Sequence, residues 1–143
     1  MYFLTNFNSQ TFIVMKSKIL NSLLIITSLL GFLEWGKTNS MFLFQGEYEI
    51  LEKLFKAPDS VAHPFVLLPL IGQILIFITL FQKTPSQLLT YAGILCLGLL
   101  LGFMFIIGVM SFNFKILFST LPFLIVVFLT IKHFRTEKLK ENF

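Results

Sequence analysis

The sequence predicts an all-α polytopic membrane protein: a four-transmembrane-helix bundle with a short amphipathic helix in the outer loop between spans one and two. Hydrophobic residues make up 56% of the 143 residues and charged residues 13%, with a mean hydropathy of +0.86. Soluble domains carry roughly 25% charged residues. Residues 84–114 and 116–131 contain no charged side chain. Because a charge at the centre of a membrane helix costs about 2.5–3.5 kcal/mol on insertion scales, these uncharged stretches indicate a lipid environment.

The first predicted span covers residues 19–35 and rises roughly 26 Å as a helix, slightly less than a ~30 Å hydrocarbon core. Lysines precede it, as in a signal peptide, but residues 28–31 do not fit a cleavage site, which favours an uncleaved anchor. Residues 1–14 mix polar and aromatic side chains. They are interpreted either as sequence upstream of a true start at Met15 or as a short interfacial segment. We therefore divide the chain into a lead (1–18), one membrane domain (19–132) and a basic cytoplasmic tail (133–143).

The connection formed by residues 36–62 is polar and contains an amphipathic segment. Tyr48, Leu51, Leu54 and Phe55 recur at helical spacing, and the charged residues Glu49, Glu52, Lys53 and Lys56 lie elsewhere on the helical wheel. This pattern predicts a short helix that ends near Ala57-Pro58. It would either lie flat on the membrane surface or cover the outer end of the bundle.

The remaining three spans follow closely in the chain. The second is predicted over residues 64–81, with Pro64 at a position that proline tolerates well. Residues 84–87 (Thr-Pro-Ser-Gln) resemble a capping box that opens the third span, over residues 88–110. Residues 111–113 form a tight turn, and the fourth span continues to about Ile131.

The distribution of basic residues predicts the orientation. Cytoplasmic loops of membrane proteins are enriched in lysine and arginine, and most of the basic residues of this chain fall on one side of the predicted spans. For a protein of the inner, cytoplasmic membrane, this arrangement places both termini and the turn after span two in the cytoplasm. The larger set is Lys16, Lys18, Lys83, Lys132, Arg135, Lys138 and Lys140, and the smaller set is Lys37, Lys53, Lys56 and Lys115.

The composition also excludes several classes of function. A single cysteine, Cys96, cannot form an intramolecular disulfide or a dithiol redox pair. The pI of about 9.3 reflects basic residues beside apolar spans, so we expect anionic lipid headgroups as partners and not nucleic acid. No nucleotide loop, zinc motif or nucleophile elbow occurs. We expect no bound cofactor or metal.

Three polar residues in or near the predicted spans are candidates for a ligand site: Glu34, His63 and Gln73. Glu34 ends span one and His63 precedes span two, which puts them on the same side of the membrane. Gln73 lies near the middle of span two, where an amide is expected to face protein. The alternatives are an interfacial Glu34 paired with Lys37 or with water, and a Gln73 that only packs between helices.

Gly98 and Gly102 form a small-residue pair with a spacing of four in span three. Such pairs let helix backbones approach closely, so we expect this face to pack against a neighbouring helix. That neighbour lies either in the same chain or in a second subunit. The pair therefore also suggests self-association or assembly into a larger membrane complex.

Three segments give the chain a resemblance to short bacterial four-span membrane proteins that have no assigned activity. These segments are residues 32–36 (Phe-Leu-Glu-Trp-Gly), 41–45 (Met-Phe-Leu-Phe-Gln) and 63–65 (His-Pro-Phe). The organisation is also similar to that of the DoxX-like family, through Gly36-Lys37 at the end of span one and Gln73 in span two. That family commonly has glutamate where this chain has glutamine. The resemblance implies an architecture and no activity.

Two functions are compatible with these observations. The first is a non-enzymatic structural or accessory component of a membrane complex, supported by the glycine pair and the lack of a catalytic group. The second is a small-molecule carrier or quinone-linked module that uses Glu34, His63 and Gln73. An enzyme acting on lipid would require a paired acid and base at the same depth, which the sequence does not offer.

Overall fold

The described part of the chain, residues 2–35 and 38–142 of this computed structural model, contains five α-helices and one two-stranded hairpin. The prediction of a helical fold is confirmed, and the hairpin is an addition to it. A single 3-10 turn, Pro58–Ser60, precedes α3. The elements in chain order are α1 (Tyr2–Leu29), β1 (Phe32–Trp35), β2 (Asn39–Phe42), α2 (Leu43–Lys56), α3 (Pro64–Phe81), α4 (Gln87–Met110) and α5 (Phe114–Asn142).

Three helices within the described residues are long and apolar enough to cross a membrane. They are Leu4–Leu29 of α1, Gln87–Met110 of α4 and Phe114–Lys140 of α5. Only 33%, 33% and 28% of the residues in their most apolar segments are buried inside the protein, so most of their leucine, isoleucine and phenylalanine side chains face outward. Water is a poor solvent for such a surface and hydrocarbon is a good one.

The first helix differs from its predicted bounds. The sequence predicted a span over residues 19–35, whereas α1 begins at Tyr2 and ends at Leu29. The following residues form β1, because a short apolar run rich in aromatic side chains satisfies the pattern of a strand as well as that of a helix. Gly31 contacts the core directly here: a Cβ atom on it would lie 2.8 Å from Leu101. The interpretation of Met15 as the true start stays a prediction.

Hydrogen bonds from two backbone N–H groups attach the hairpin to the helices around it. Its strands are antiparallel, with Phe32 opposite Phe42 and Trp35 opposite Asn39. The Phe32 N–H donates to the Ser119 hydroxyl on α5 at 3.0 Å. The Leu43 N–H at the start of α2 donates to the Gly31 carbonyl at 2.7 Å. The hairpin therefore holds the first turn of α2 beside the end of α1.

Two glycines, Gly72 and Gly93, lie at the contact between helices α3 and α4. A Cβ atom on Gly93 would overlap the Ile76 side chain and would lie 2.8 Å from the Gly72 carbonyl oxygen. Gly98 and Gly102, the predicted packing pair, instead have open space beside them: a Cβ atom on either would meet no described atom within 4 Å. Close packing inside the chain thus uses Gly93, five residues before the predicted pair.

The two ends of α4 are set by a capping side chain and by a tight turn. Ser86, not Thr84, is the N-cap of α4, and its hydroxyl accepts the Leu89 N–H at 3.4 Å. At the other end of α4, the predicted tight turn contains Phe112 with a φ of 52°, and the Asn113 N–H donates to the Gly108 carbonyl at 2.9 Å. This left-handed residue lets the chain reverse directly into α5.

Candidate functional site

One face of α1 carries a row of buried polar side chains. Ser17, Asn21 and Ser28 are spaced by four and seven residues, so they lie on the same side of the helix. Their exposed fractions are 3%, 0% and 0%. Each of the three forms a hydrogen bond to another helix. The interior of the helical core is therefore polar at three levels.

The middle level joins three helices. The Asn21 amide donates to the Thr79 hydroxyl on α3 at 2.7 Å and to the Thr90 hydroxyl on α4 at 3.0 Å. The Thr79 hydroxyl donates to the Ile76 carbonyl, and the Thr90 hydroxyl donates to the carbonyl of Ser86, the N-cap of α4. Such interhelical hydrogen bonds contribute about 0.5–2 kcal/mol in membrane proteins. This level is explained by helix packing alone.

The level beside α2 contains an acid. The Gln73 amide donates to the Ser28 hydroxyl at 3.0 Å and to the Glu47 carboxyl oxygen Oε1 at 2.8 Å. All three residues are buried, and Glu47 is only 6% exposed. We refer to Glu47, Gln73 and Ser28 as the Glu47 cluster. It brings together side chains from α2, α3 and α1.

The environment of Glu47 changes its protonation. Burial raises the pKa of its carboxyl group from 4.5 to about 7, and the hydrogen bond from Gln73 offsets part of this increase. Burial acts in this direction because a low-dielectric surrounding disfavours the charged form. The group is therefore close to half protonated at neutral pH. A carboxyl group in that condition can release or take up a proton without a large cost.

A cleft of about 410 Å³ adjoins the cluster. Helix α2 forms one side of it, and β1, α3 and α4 add apolar side chains, including Leu33, Val66 and Leu100. Glu47 supplies a polar group, and Glu49 and Lys53 add one charge of each sign. Ligand sites in proteins often combine such an apolar wall with a few polar groups. The volume suits a small organic molecule.

The structure places the three predicted site residues in different surroundings. Gln73 belongs to the Glu47 cluster. Glu34 lies exposed on β1, where its carboxyl oxygen accepts a hydrogen bond at 2.6 Å from the Asn113 amide in the turn between α4 and α5. His63 is exposed in the segment before α3. The alternative pairing of Glu34 with Lys37 and the DoxX-like Gly36-Lys37 dipeptide involve residues outside the described ranges.

Glu47 was missed by the sequence analysis, although a signal for it exists. On a helical wheel it lies between Leu43, Ile50 and Leu54, at the centre of an apolar face. That face packs inward in the structure, whereas Tyr48 and Phe55, at 70% and 90% exposed, face outward. An acid in the middle of an apolar helix face is the pattern that would have identified it.

The third level joins the middle of α1 to the C-terminal half of α5. The Nε2 atom of His133 is 2.9 Å from the Ser17 hydroxyl oxygen and 2.6 Å from the Glu137 carboxyl oxygen Oε1. His133 is buried, at 8% exposed. This contact links α1 and α5, which are far apart in the chain.

Fold and site together define a helical protein with membrane-length apolar helices and a buried, titratable carboxyl group beside a cleft. Comparison of the chain with protein family models, with curated proteins and with solved structures gives no match.

Proposed function

We propose that the chain is a four-span protein of the inner, cytoplasmic membrane with both termini in the cytoplasm. The fourth crossing would be α3, whose 18 residues rise about 27 Å as a helix. Helix α3 packs against α1 and α4, and α5 packs against the same two helices, which is the arrangement of a four-helix bundle. The hairpin and α2 would then cover the outer end.

We further propose that the bundle binds a small lipophilic cation in the cleft beside Glu47, in exchange for the proton of that carboxyl group. The observation that carries this proposal is the burial of Glu47 against Gln73, an amide in the middle of an apolar helix. An ionisable group so far inside a membrane protein is costly unless it has a partner or a use. This replaces Glu34 and His63 of the carrier hypothesis by Glu47.

The exchange would be balanced in charge. At neutral pH the protonated carboxyl releases one proton to water, and the resulting carboxylate is neutralised by the incoming cation. Gln73 keeps its N–H directed at Oε1, so the carboxylate is held in place during the exchange. The apolar wall of the cleft removes the organic part of the cation from water.

A binding experiment tests this directly. Tetraphenylphosphonium is titrated into the purified protein in uncharged detergent over a range of pH. Because only the ionised carboxyl attracts the cation, we expect the dissociation constant to rise about tenfold for each pH unit below about 7. Above that pH the dissociation constant should become constant.

Two variants make the experiment specific. Glu47→Gln should weaken binding at least about tenfold and remove its pH dependence, since the neutral amide neither attracts a cation nor titrates. Glu34→Gln is the matched change of an exposed glutamate. It should leave the dissociation constant and its pH dependence unchanged. Equal loss of binding in the two variants, or binding that is independent of pH in the unmodified protein, would contradict the proposal.

An accessory role in a larger membrane complex is the second candidate. It is favoured by the open space beside Gly98 and Gly102, which leaves this face of α4 free for a helix from another chain. The Gly98→Leu variant separates the two functions. Cation binding that survives in this variant while a co-purifying protein is lost would assign the accessory role to this face and the ligand to the cleft.

A further inference from the structure

A second cleft lies between the middle of α1 and the C-terminal part of α5, away from the Glu47 cluster. Its volume is about 340 Å³. Three lysines line it: Lys16 from α1, and Lys132 and Lys140 from α5. The two helices thus bring together basic residues that are more than a hundred positions apart in the chain.

The charge of this cleft is positive on balance. Glu137 is the acid that lines it, and its Oε1 atom is 2.6 Å from the Nε2 atom of His133. The carboxylate is therefore paired with the imidazole, and the three lysines that line the cleft leave it positive. Lysines around a cleft attract phosphate as a set of point charges.

The cleft also has an apolar wall, formed by side chains of the same two helices. Phe12, Leu20 and Leu129 contribute to it. Phe12 is 68% exposed and Leu129 is 45% exposed, so the apolar wall is open to the surroundings of the protein. A free inorganic anion would gain nothing from these side chains. A molecule with an anionic head and a hydrocarbon chain would use both walls.

We propose that this cleft binds an anionic phospholipid, with its phosphate among Lys16, Lys132 and Lys140 and one acyl chain along the apolar wall. The site differs from the general attraction of a basic tail to a charged membrane, because the lysines come from two helices and enclose a defined volume. It is independent of the cation-binding function proposed for the Glu47 cluster, and neither depends on the other.

Native mass spectrometry of the purified, full-length protein tests the proposal. The protein in uncharged detergent is titrated with phosphatidylglycerol or with phosphatidylcholine of the same acyl chains. We expect one phosphatidylglycerol to be retained at least about tenfold more tightly than phosphatidylcholine. Replacing Lys16, Lys132 and Lys140 together by glutamine should weaken retention about 100-fold, since each cation near an anionic headgroup contributes about fivefold.

A matched variant controls for net charge. Lys83, Arg135 and Lys138 do not line the cleft, and replacing these three by glutamine removes the same charge. Retention of phosphatidylglycerol by this control supports the proposal, and equal loss in both triple variants overturns it. Displacement of the lipid by an equal concentration of inorganic phosphate would show that a free anion, and not a lipid, is the ligand.

A third variant covers the case in which the triple lysine variant does not fold. Thr136 lines the cleft and is exposed, so Thr136→Trp fills the volume while keeping every charge. We expect this variant to lose the preference for phosphatidylglycerol at an unchanged melting temperature. Full retention of the lipid with the cleft filled would contradict the proposed position of the headgroup.

Discussion

Replacing Gly93 by leucine is expected to destabilise the protein by about 3 kcal/mol or to prevent it from accumulating in the membrane. A Cβ atom at this position would overlap Ile76 and would lie 2.8 Å from the backbone oxygen of Gly72. Ile76 is fully buried in the core, and the backbone of α3 cannot move without displacing Gln73, the residue after Gly72. The free energy of unfolding in mixed detergent micelles measures the effect.

Gly98→Leu is the control, because it places the same side chain on the same helix, five residues further on. A Cβ atom added at Gly98 meets no described atom within 4 Å, so the effect of this variant on the free energy of unfolding should stay below about 0.5 kcal/mol. Similar losses for both variants would show that α3 and α4 do not cross at Gly93.

The stability of the protein is expected to fall as the pH rises through neutrality, because of Glu47. The pKa of this carboxyl group is raised from 4.5 to about 7 in the folded state, so the folded state binds the proton more tightly than the unfolded state. Glu47 therefore contributes its full stabilisation at a pH below its pKa in the unfolded state. This stabilisation is lost as the pH rises through its pKa in the folded state. Between about pH 5 and pH 8 the loss should be about 2 to 3 kcal/mol.

The matching variant for this prediction is Glu47→Gln, which keeps an oxygen for the Gln73 N–H and cannot titrate. The free energy of unfolding is measured for both proteins at several pH values. The difference between the two should change with pH by the full amount predicted for Glu47. A difference that is constant over this range would mean that Glu47 has an ordinary pKa, and that the cluster is accessible to water.

Apolar patterning predicted the longer helices well and their ends less well. The predicted second span, residues 64–81, coincides with α3, and the third begins one residue later than α4 does. Residues 32–35 were assigned to a helix because hydrophobicity alone does not distinguish a helix from a strand over four residues. Residues 32–35 form a strand because they pair with residues 39–42, and hydropathy does not predict that pairing.

The candidate site was predicted in part. Gln73 was identified because an amide in the middle of an apolar helix needs a partner. Its partner Glu47 lies 26 residues earlier in the chain, and only the position of α2 brings the two together. Tyr48, Leu51, Leu54 and Phe55 were expected to form the apolar face of α2 on the membrane surface or over the bundle. Three of them are exposed and Leu54 is half-buried, whereas Leu43 and Glu47 are buried. A helical wheel centred on Glu47 gives the correct side.

The central claim is that four helices cross the membrane with the ends of the chain inside. Cys96 is the one cysteine of the sequence, so Cys96→Ala provides a background for single cysteines at Tyr48, Thr84, Ser111 and Thr136. Intact cells are treated with a maleimide that does not cross membranes. We predict labelling at positions 48 and 111, and labelling at positions 84 and 136 only after the membrane is opened. Labelling of positions 84 and 111 from the same side would contradict this topology, because α4 would then not cross.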